Sequence, residues 1–554
     1  MAPSAWKLLP ADPVRADRLA RELDLHPLTA QLLLHRGVAD AASARRFLSP
    51  SLHDLAETPV PDLARAVSRI RKAIATREPI DLFSDSDTDG LTASVILYEA
   101  LTSLGATVRA QPSNRIADGY GLPASFIQRL IRSSATLLMV ADCGTNQSEA
   151  IRELAAHGID TIIVDHHVPL AGWAEPYALV NPHRESSGPG RELCSAGLAL
   201  RIAQALLDDS GDSPASYADL AALGTLSDAM PLRGSNRGIV TEGLPRIVHS
   251  ERPGLRRLCE ETRTHVSDPE HVIMRLTPRL NASGRLGDAG SVWELLRRDA
   301  SGVEAHLGEA ARAHQTTRRL FREVIGQAQE QVNRLHFRDE FVVVVAGSGW
   351  HQGIMGPLAS QLTGRFGRPA IAVAMDERQG VGSGRSIPAF NLLHALRACE
   401  DVLVRFGGHA QACGLTIERK HLEEFRALIN RHAQRFLGRD GLVKEKTVEL
   451  ELPLGAIEPR WVEETERFAP FGSGNSRPTV VIRQVRIEQQ SARSAILTDG
   501  DARVAARGTF STVAPEGRYD VAASPRLVKG ELMLAVSDVK VSSPRATRQV
   551  STAP

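Results

Sequence analysis

Cysteine is scarce in this chain of 554 residues, and the five present, Cys143, Cys194, Cys259, Cys399 and Cys413, are scattered without pairing or CxxC spacing. That usage excludes a disulfide framework, argues against a zinc site and points to a reducing compartment. Long apolar runs are also missing. No stretch approaches the roughly 20 residues of a membrane span, and the opening "MAPSAWKLLPADPVRADRLARELDL" has no apolar signal core. The expectation is a cytoplasmic protein with no membrane partner. Net charge is nearly absent too, at +1, so a polyanion would have to be held by local basic patches. No internal repeat is present.

What the chain does have is enough apolar residues, 42%, to fill several cores, and a length that calls for two to four domains. Residues 1–75 read as a helical lead-in, with "LTAQLLLHRG" and "PDLARAVSRIRKAIA" carrying apolar residues at three- and four-residue spacing. From Ile80 the runs "IDLFS", "ATVRAQP", "ATLLMVADCG" and "DTIIVDHH" read as buried strands separated by helices, a pattern that implies a mostly parallel sheet over 76–291. A helical connector over 292–338 leads to a second α/β unit over 339–440. Short alternating runs over 446–545 ("TVELELPL", "TVVIRQVRI", "ELMLAVSDVKV") suggest a small β-barrel, and the tail "SSPRATRQVSTAP" reads as disordered. The fold class is therefore multidomain α/β with a C-terminal barrel.

Parallel sheets bind ligands at the carboxyl ends of their strands. Three of the four strands end there on Asp85, Asp87 and Asp89, on Asp142, and on Asp165, His166 and His167. Alone, "SDSDTDG" fits a solvated turn, and a calcium loop would need Glu at its twelfth position, which is Ile96. "DCG" alone is a common turn and "DHH" alone a common surface pair. Their convergence on one sheet edge favours a metal centre. Asp228, in the apolar "LAALGTLSDAMPL", needs a partner as well. Carboxylates with imidazole suit manganese or magnesium, the imidazole tilting the choice to manganese, and a bridging ligand would allow two ions roughly 3.5–4 Å apart, the clamp used in phosphoryl displacement.

"SDSDTDG", "VADCG", "VDHH" and "LGTLSDAMPL", in that order, resemble the four motifs of the DHH phosphoesterase superfamily. More narrowly, "PSNRIADGYGL", "TPRLNASGRLGDA", "WHQGIMGPLASQL", "GSGRSIPAFNL", "RFGGHAQACGLTI" and "FAPFGSGNSRP" resemble the RecJ family of bacterial single-strand-specific exonucleases. The resemblance implies a DHH-type core, a DHH-associated substrate-binding domain and an OB-fold barrel. It implies that Asp87, Asp89, Asp142, His166 and Asp228 hold two divalent ions, with Asp142 bridging. Asp165 would orient His166, His167 would contact the scissile phosphate and assist proton transfer, and Asp85 would be either a ligand or a support for the ligands. Ser84 and Ser86 stand where the family usually has Gly and an aromatic.

Phosphodiester substrates need cationic anchors, and Arg115, Arg279, Arg285 and Arg385 all lie beside glycines inside these motifs. "GSGRS" reads as an anion nest in which Ser383 and Arg385 bind a terminal phosphate, with His409 in a similar turn. From Asn475 onward the chain carries twelve Lys/Arg against seven Asp/Glu, and Phe510 and Tyr519 are its only aromatics, so the barrel is expected to bind by charge. The function implied is metal-dependent 5′→3′ degradation of single-stranded DNA to mononucleotides in repair and recombination, by a monomer working with a helicase and a single-strand-binding protein. The alternatives are an oligonucleotide or cyclic-dinucleotide phosphodiesterase of the same superfamily, or a scaffold without catalysis, which would be expected to have lost ligands.

Overall fold

Short strand β1 (Ala5–Leu8) and three helices, Pro13–Leu23, Pro27–His35 and Ala41–Leu48, open the structure, a computed structural model that describes residues 5–542 apart from 170–171, 186–187, 189, 208–212, 265–267, 336, 338–339, 439–441, 443–444, 511–512 and 515. Each helix begins on a side-chain cap, from Asp12, His26 and Asp40, and two have Pro in the first turn. The chain separates into two compact units, one of residues 1–49, 444–471 and 475–554, the other of residues 50–443 and 472–474.

The expected single lead-in over 1–75 is thereby corrected. Helices before residue 49 bury Ala16, Leu19, Leu32 and Leu33 in one core with the barrel residues Trp461, Phe468, Ile482 and Leu497. Helix Leu63–Ala75 instead buries Leu63, Ala66 and Ile70 against Leu82, Met139 and Ile162 of the parallel sheet. Amphipathic spacing announces a buried face but does not say which sheet covers it.

In the larger unit, β2 (Ile80–Ser84), β3 (Val108–Pro112), β4 (Leu137–Ala141), β5 (Asp160–Val164) and β6 (Ala178–Val180) form an all-parallel sheet in the order β3-β2-β4-β5-β6. The connections diverge between β2 and β4, which places a crevice at their carboxyl ends. Three-residue β6 is too short to leave a periodic trace in the sequence. Short helix Gly290–Leu295 packs Val292, Trp293 and Leu295 into this sheet's core, so the continuous connector starts later than 292, as the 31-residue helix Val303–Asn333.

The second sheet holds β7 (Val343–Ser348), β8 (Ala370–Met375), β9 (Gln379–Arg385), β10 (Arg405–Gly408) and β11 (Ala412–Glu418) in the order β10-β11-β9-β8-β7, with only β7 and β8 parallel. Helix Met355–Phe366 and the end of the long connector cover one face; helices Leu392–Arg397 and Leu422–Leu437 cover the other.

In the smaller unit β12 (Glu445–Val448) pairs with β1 in parallel. Strands β13 (Leu450–Glu451), β14 (Val480–Ser491), β15 (Ser494–Asp499), β16 (Ala502–Arg507), β17 (Tyr519–Val528) and β18 (Glu531–Val541) follow the order β13-β14-β15-β16-β18-β17, and β17 pairs back onto β14 to close a five-stranded barrel. Closure leaves no free edge along those five strands. Of the expected disordered tail only Ser542 lies within the described residues, where its hydroxyl donates to Asp520. No helix among the described residues is long and apolar enough to cross a membrane.

Because Leu33 is fully buried in the core shared with the barrel, Leu33→Ala should cost about 2–5 kcal/mol. Hydrogen exchange should then accelerate together over residues 13–48 and 480–541. Acceleration confined to the three helices would show that they do not fold as one unit with the barrel.

Candidate metal centre

Each acidic residue that follows a strand occupies the next rung of the sheet ladder. The amide of Asp85 donates to the Ala141 carbonyl at 3.1 Å, that of Asp142 to Val164 at 2.9 Å and that of Asp165 to Val180 at 3.2 Å. Their side chains are thus delivered to the carboxyl edge by the same hydrogen bonds that make the sheet. Asp142 does so with φ of 63°, a left-handed conformation that costs a β-carbon-bearing residue about 1–3 kcal/mol and that functional sites tolerate.

Asp87 caps helix Thr88–Ser103, accepting from the amides of Asp89 at 3.1 Å and Gly90 at 3.2 Å. Gly90, the glycine of "SDSDTDG", is therefore part of the helix. It lies in the first helical turn, where a β-carbon would stand 2.7 Å from the Asp85 carbonyl oxygen. The two oxygens of Asp89 accept from the amides of Ser195 and Ala196, both at 2.9 Å, at the start of helix Ser195–Leu207. Gly224 gives the neighbouring helix room: a β-carbon there would meet Asp89 Oδ1 at 2.7 Å and Ala196 Cβ at 2.5 Å.

These elements bring the expected ligands together. His166 Nε2 lies 3.4 Å from Asp142 Oδ1, 3.6 Å from Asp228 Oδ2 and 3.7 Å from Asp89 Oδ2. Two groups of ligand atoms, one from Asp142, His166 and His167 and one from Asp85, Asp87 and Asp142, each fall within 4.8 Å of one another, and Asp142 belongs to both. Burial, reinforced by Asp89 and Asp87, pushes the Asp142 carboxyl well above the usual carboxylate range. Burial also pushes Asp228 up to about 7, against the pull of His166. Carboxylates so crowded are stable as anions only with positive charge among them, and the donor set, oxygen with one or two imidazoles, fits manganese or magnesium.

The role expected of Asp165 is corrected. Its Oδ1 accepts from His167 Nδ1 at 2.7 Å and from the backbone amides of His166 at 2.8 Å and His167 at 3.2 Å, while Oδ2 accepts from the Thr145 amide. It therefore orients the ring of His167, not that of His166. An Asp at a strand end folds its carboxylate back over the following two residues in an Asx turn, which puts the second histidine within its reach. Burial alone would lower the His167 pKa, but the Asp165 carboxylate raises it to about 9. His409 stacks on His167 with centroids 5.5 Å apart and planes at 19°, and burial with the nearby histidines lowers it to about 4.

Arg115 is ion-paired with Asp85 and lies 4.0 Å from Asp87. Arg285 has no ion-paired carboxylate among the described residues, and burial lowers its pKa against the pull of nearby Asp87, with Arg385 and Arg115 adding repulsion. Arg385 donates to Ser383 Oγ at 3.0 Å and to the Gly384 carbonyl at 2.9 Å. The anion nest expected in "GSGRS" is not there: Gly382 to Arg385 lie in β9 with ladder partners on both sides, Ser383 facing Ala372 and Gly414, so their amides are committed. Its glycines serve packing instead, since a β-carbon on Gly384 would stand 2.6 Å from Leu392 Cδ2. What remains for an anion is the Ser383 hydroxyl and the Arg385 guanidinium. Arg279 pairs with Glu261 at 3.5 Å.

Sequence reasoning missed three groups. Ser195 Oγ donates to Asp142 Oδ1 at 2.9 Å, and Asn281 Oδ1 accepts from the Thr88 amide at 2.8 Å. The Tyr120 hydroxyl donates to the Asp142 carbonyl at 3.3 Å and lies 3.2 Å from His167 Nδ1. Tyr120 stood in a motif already singled out, "NRIADGYG"; nothing in the sequence marks Ser195, which reaches the site only through the helix–sheet packing.

Comparison with known proteins agrees with this architecture. Residues 80–225 match the DHH family N-terminal domain, 339–435 the DHHA1 domain and 448–496 the RecJ OB domain. The single-stranded-DNA-specific exonuclease RecJ of Bacillus subtilis is 32% identical over 87% of this chain, which spans 62% of that protein's length. RecJ of Thermus thermophilus is 32% identical over 86% of this chain and 69% of its own, and RecJ of Escherichia coli is 30% identical over 73% and 74%. The crystal structure of the Thermus RecJ in complex with Mn2+ superposes with a TM-score of 0.84 at 28% identity, covering 98% of this chain and 80% of that one; a Mg2+ complex of the same protein gives 0.77. With its carboxylate cluster at the sheet edge and its three matched domains in order, this chain belongs to the RecJ family of single-stranded-DNA-specific exonucleases.

Proposed function

We propose that this chain removes mononucleotides from the 5′ end of single-stranded DNA by two-metal phosphodiester hydrolysis, using manganese in preference to magnesium. The observation that carries the reading is the pair of ligand groups sharing Asp142, set beside arginines that have an anion to find. Asp85, Asp87 and Asp142 would hold one ion; Asp142, His166, Asp89 and Asp228 the other. When bound, the ions would supply positive charge to the scissile phosphate and activate water for attack.

The remaining work falls to the chain's own side chains. Asp165 can only accept, so it fixes the proton of His167 on Nδ1 and leaves Nε2 to exchange a proton at the phosphate. Tyr120 and His409 hold the His167 ring from two sides. Arg285 and Arg385 with Ser383 bind the terminal 5′-phosphate, which sets polarity because the hydrolytic groups alone cannot tell one end from the other. The barrel holds the strand by charge. In the cell the substrate would come from a helicase and be coated by a single-strand-binding protein, in repair and recombination in the cytoplasm, with the enzyme acting as a monomer.

Digestion of single strands labelled at either end, beside duplex DNA, RNA and cyclic dinucleotides, tests the reading: mononucleotides should appear first from the 5′ label, and preferential cleavage of cyclic dinucleotides would overturn it. Arg385→Ala should slow cleavage of 5′-phosphorylated strands tenfold or more, on the order of one charge-assisted contact, and narrow the rate ratio of 5′-phosphate over 5′-hydroxyl ends. An unchanged ratio would put end recognition elsewhere.

Asp165→Asn should lower turnover about 10- to 100-fold, the usual effect of losing a group that orients a working imidazole. Combined with His167→Ala it should add little, because both changes remove the same oriented ring. Independent, multiplying losses would show that Asp165 does not act through His167.

A further inference from the structure

The barrel's poverty in aromatics leaves open where the bases of a bound strand find a stacking partner. Among the described residues the large aromatic side chains most open to solvent are Tyr120, beside the metal centre, and Phe436, 62% exposed on helix Leu422–Leu437. Phe436 does not stand alone. One helical turn back, His432 stacks on it with centroids 4.6 Å apart and planes at 29°. His394, from helix Leu392–Arg397, meets Phe436 edge-on at 5.7 Å and 86°, and lies 5.3 Å from His432. Buried Phe390 supports His432 from beneath at 6.4 Å.

The surroundings of this cluster are basic. Arg435, one turn on from His432 and acting on its charge, and Arg397, one turn on from His394, are exposed, and no ion pair joins either to a carboxylate among the described residues. From 378 to 399 and from 425 to 438 the sequence holds no Asp or Glu. Apolar residues of both helices are already spent on the sheet, Leu392, Ala395 and Leu396 from one and Phe425, Ile429, Ala433 and Leu437 from the other, so the rings are not needed to hold the fold. A surface of stacked rings bordered by unpaired guanidiniums complements a ligand with flat faces and regular negative charge, which describes a single-stranded nucleic acid.

We propose that Phe436, His432 and His394, bordered by Arg397 and Arg435, form a second single-strand binding site that stacks a nucleobase and holds its flanking phosphates. It is distinct from the end-binding group. A β-carbon on Gly356, in helix Met355–Phe366, would meet the Arg385 guanidinium at 3.1 Å, whereas Leu392 packs on the opposite face of the same sheet, at Gly384. The site therefore takes a stretch of strand other than the 5′ terminus. This rests on the reading of the chain as an enzyme of single-stranded DNA.

The test uses the full chain with EDTA, so that nothing is cleaved, and a fluorescent long oligothymidylate read by anisotropy. Phe436→Ala and Phe436→Leu should each weaken binding about fivefold or more, the low end of one lost base stack, while Phe436→Trp should match or exceed the wild type. Thermal unfolding should be unchanged in all three, because the ring is exposed. An oligonucleotide carrying 5-iodouracil should photocrosslink to a peptide of residues 422–437. Unchanged affinity in the Ala variant, or a Leu variant that binds like wild type, would overturn the site and mark the surface as an apolar contact for a protein. Failure of the wild type to bind or cut any single strand would instead overturn the underlying functional reading.

Discussion

Carboxylates from Asp85, Asp87, Asp89, Asp142 and Asp228 crowd one edge of a parallel sheet, and the rest of the larger unit is arranged so that this repulsion is tolerated until a cation relieves it. The arrangement draws on fixed positive ends wherever backbone can supply them. Asp87 takes the amides at the start of its own helix, Asp89 those at the start of helix Ser195–Leu207, and Asp165 those of the two histidines that follow it. Asp142 has little of this help, one hydroxyl from Ser195 and a strained backbone, and Asp228 has only the His166 ring at 3.6 Å. Asp142 is also the residue common to both ligand groups. A carboxylate with so little compensation from protein, placed in both groups, is well placed to be compensated by metal.

Beside the carboxylates the charge changes sign. Arg285 and Arg385 keep their guanidiniums partly buried without a carboxylate between them, a cost that makes sense if an anion completes the site. Arg115 differs, for it already leans on Asp85 and bridges the two regions. Under the proposed function, a phosphodiester strand would lie along this boundary, with the phosphate to be cut on the carboxylate side and its terminal neighbour among the arginines.

Much of this was legible in the sequence because strand ends are. Buried runs that stop on Asp85, Asp142 and Asp165 declare both a parallel sheet and the edge where acidic side chains gather, and the family motifs point to the same residues as candidate ligands. Local readings failed where geometry depends on neighbours. "GSGRS" looks like a loop because it is rich in glycine, yet it is a central strand in which Gly384 makes room for Leu392 and Gly382 for Val373 and Leu415. The resemblance pairs Asp165 with His166, and an Asx turn, which a motif does not display, turns its carboxylate to His167 instead. The first seventy-five residues split between two cores because an amphipathic helix carries no record of its partner. Ser195 was invisible for the same reason.

The central claim is that Asp142 is shared by two cations, and counting them tests it most directly. Titration of the wild-type protein with Mn2+, followed by calorimetry and electron paramagnetic resonance, should give two ions per chain with the spin coupling of a close pair, and Asp142→Asn should lose the coupling together with tight binding of at least one ion. A single uncoupled ion in the wild type, or full stoichiometry and coupling in Asp142→Asn, would contradict the account.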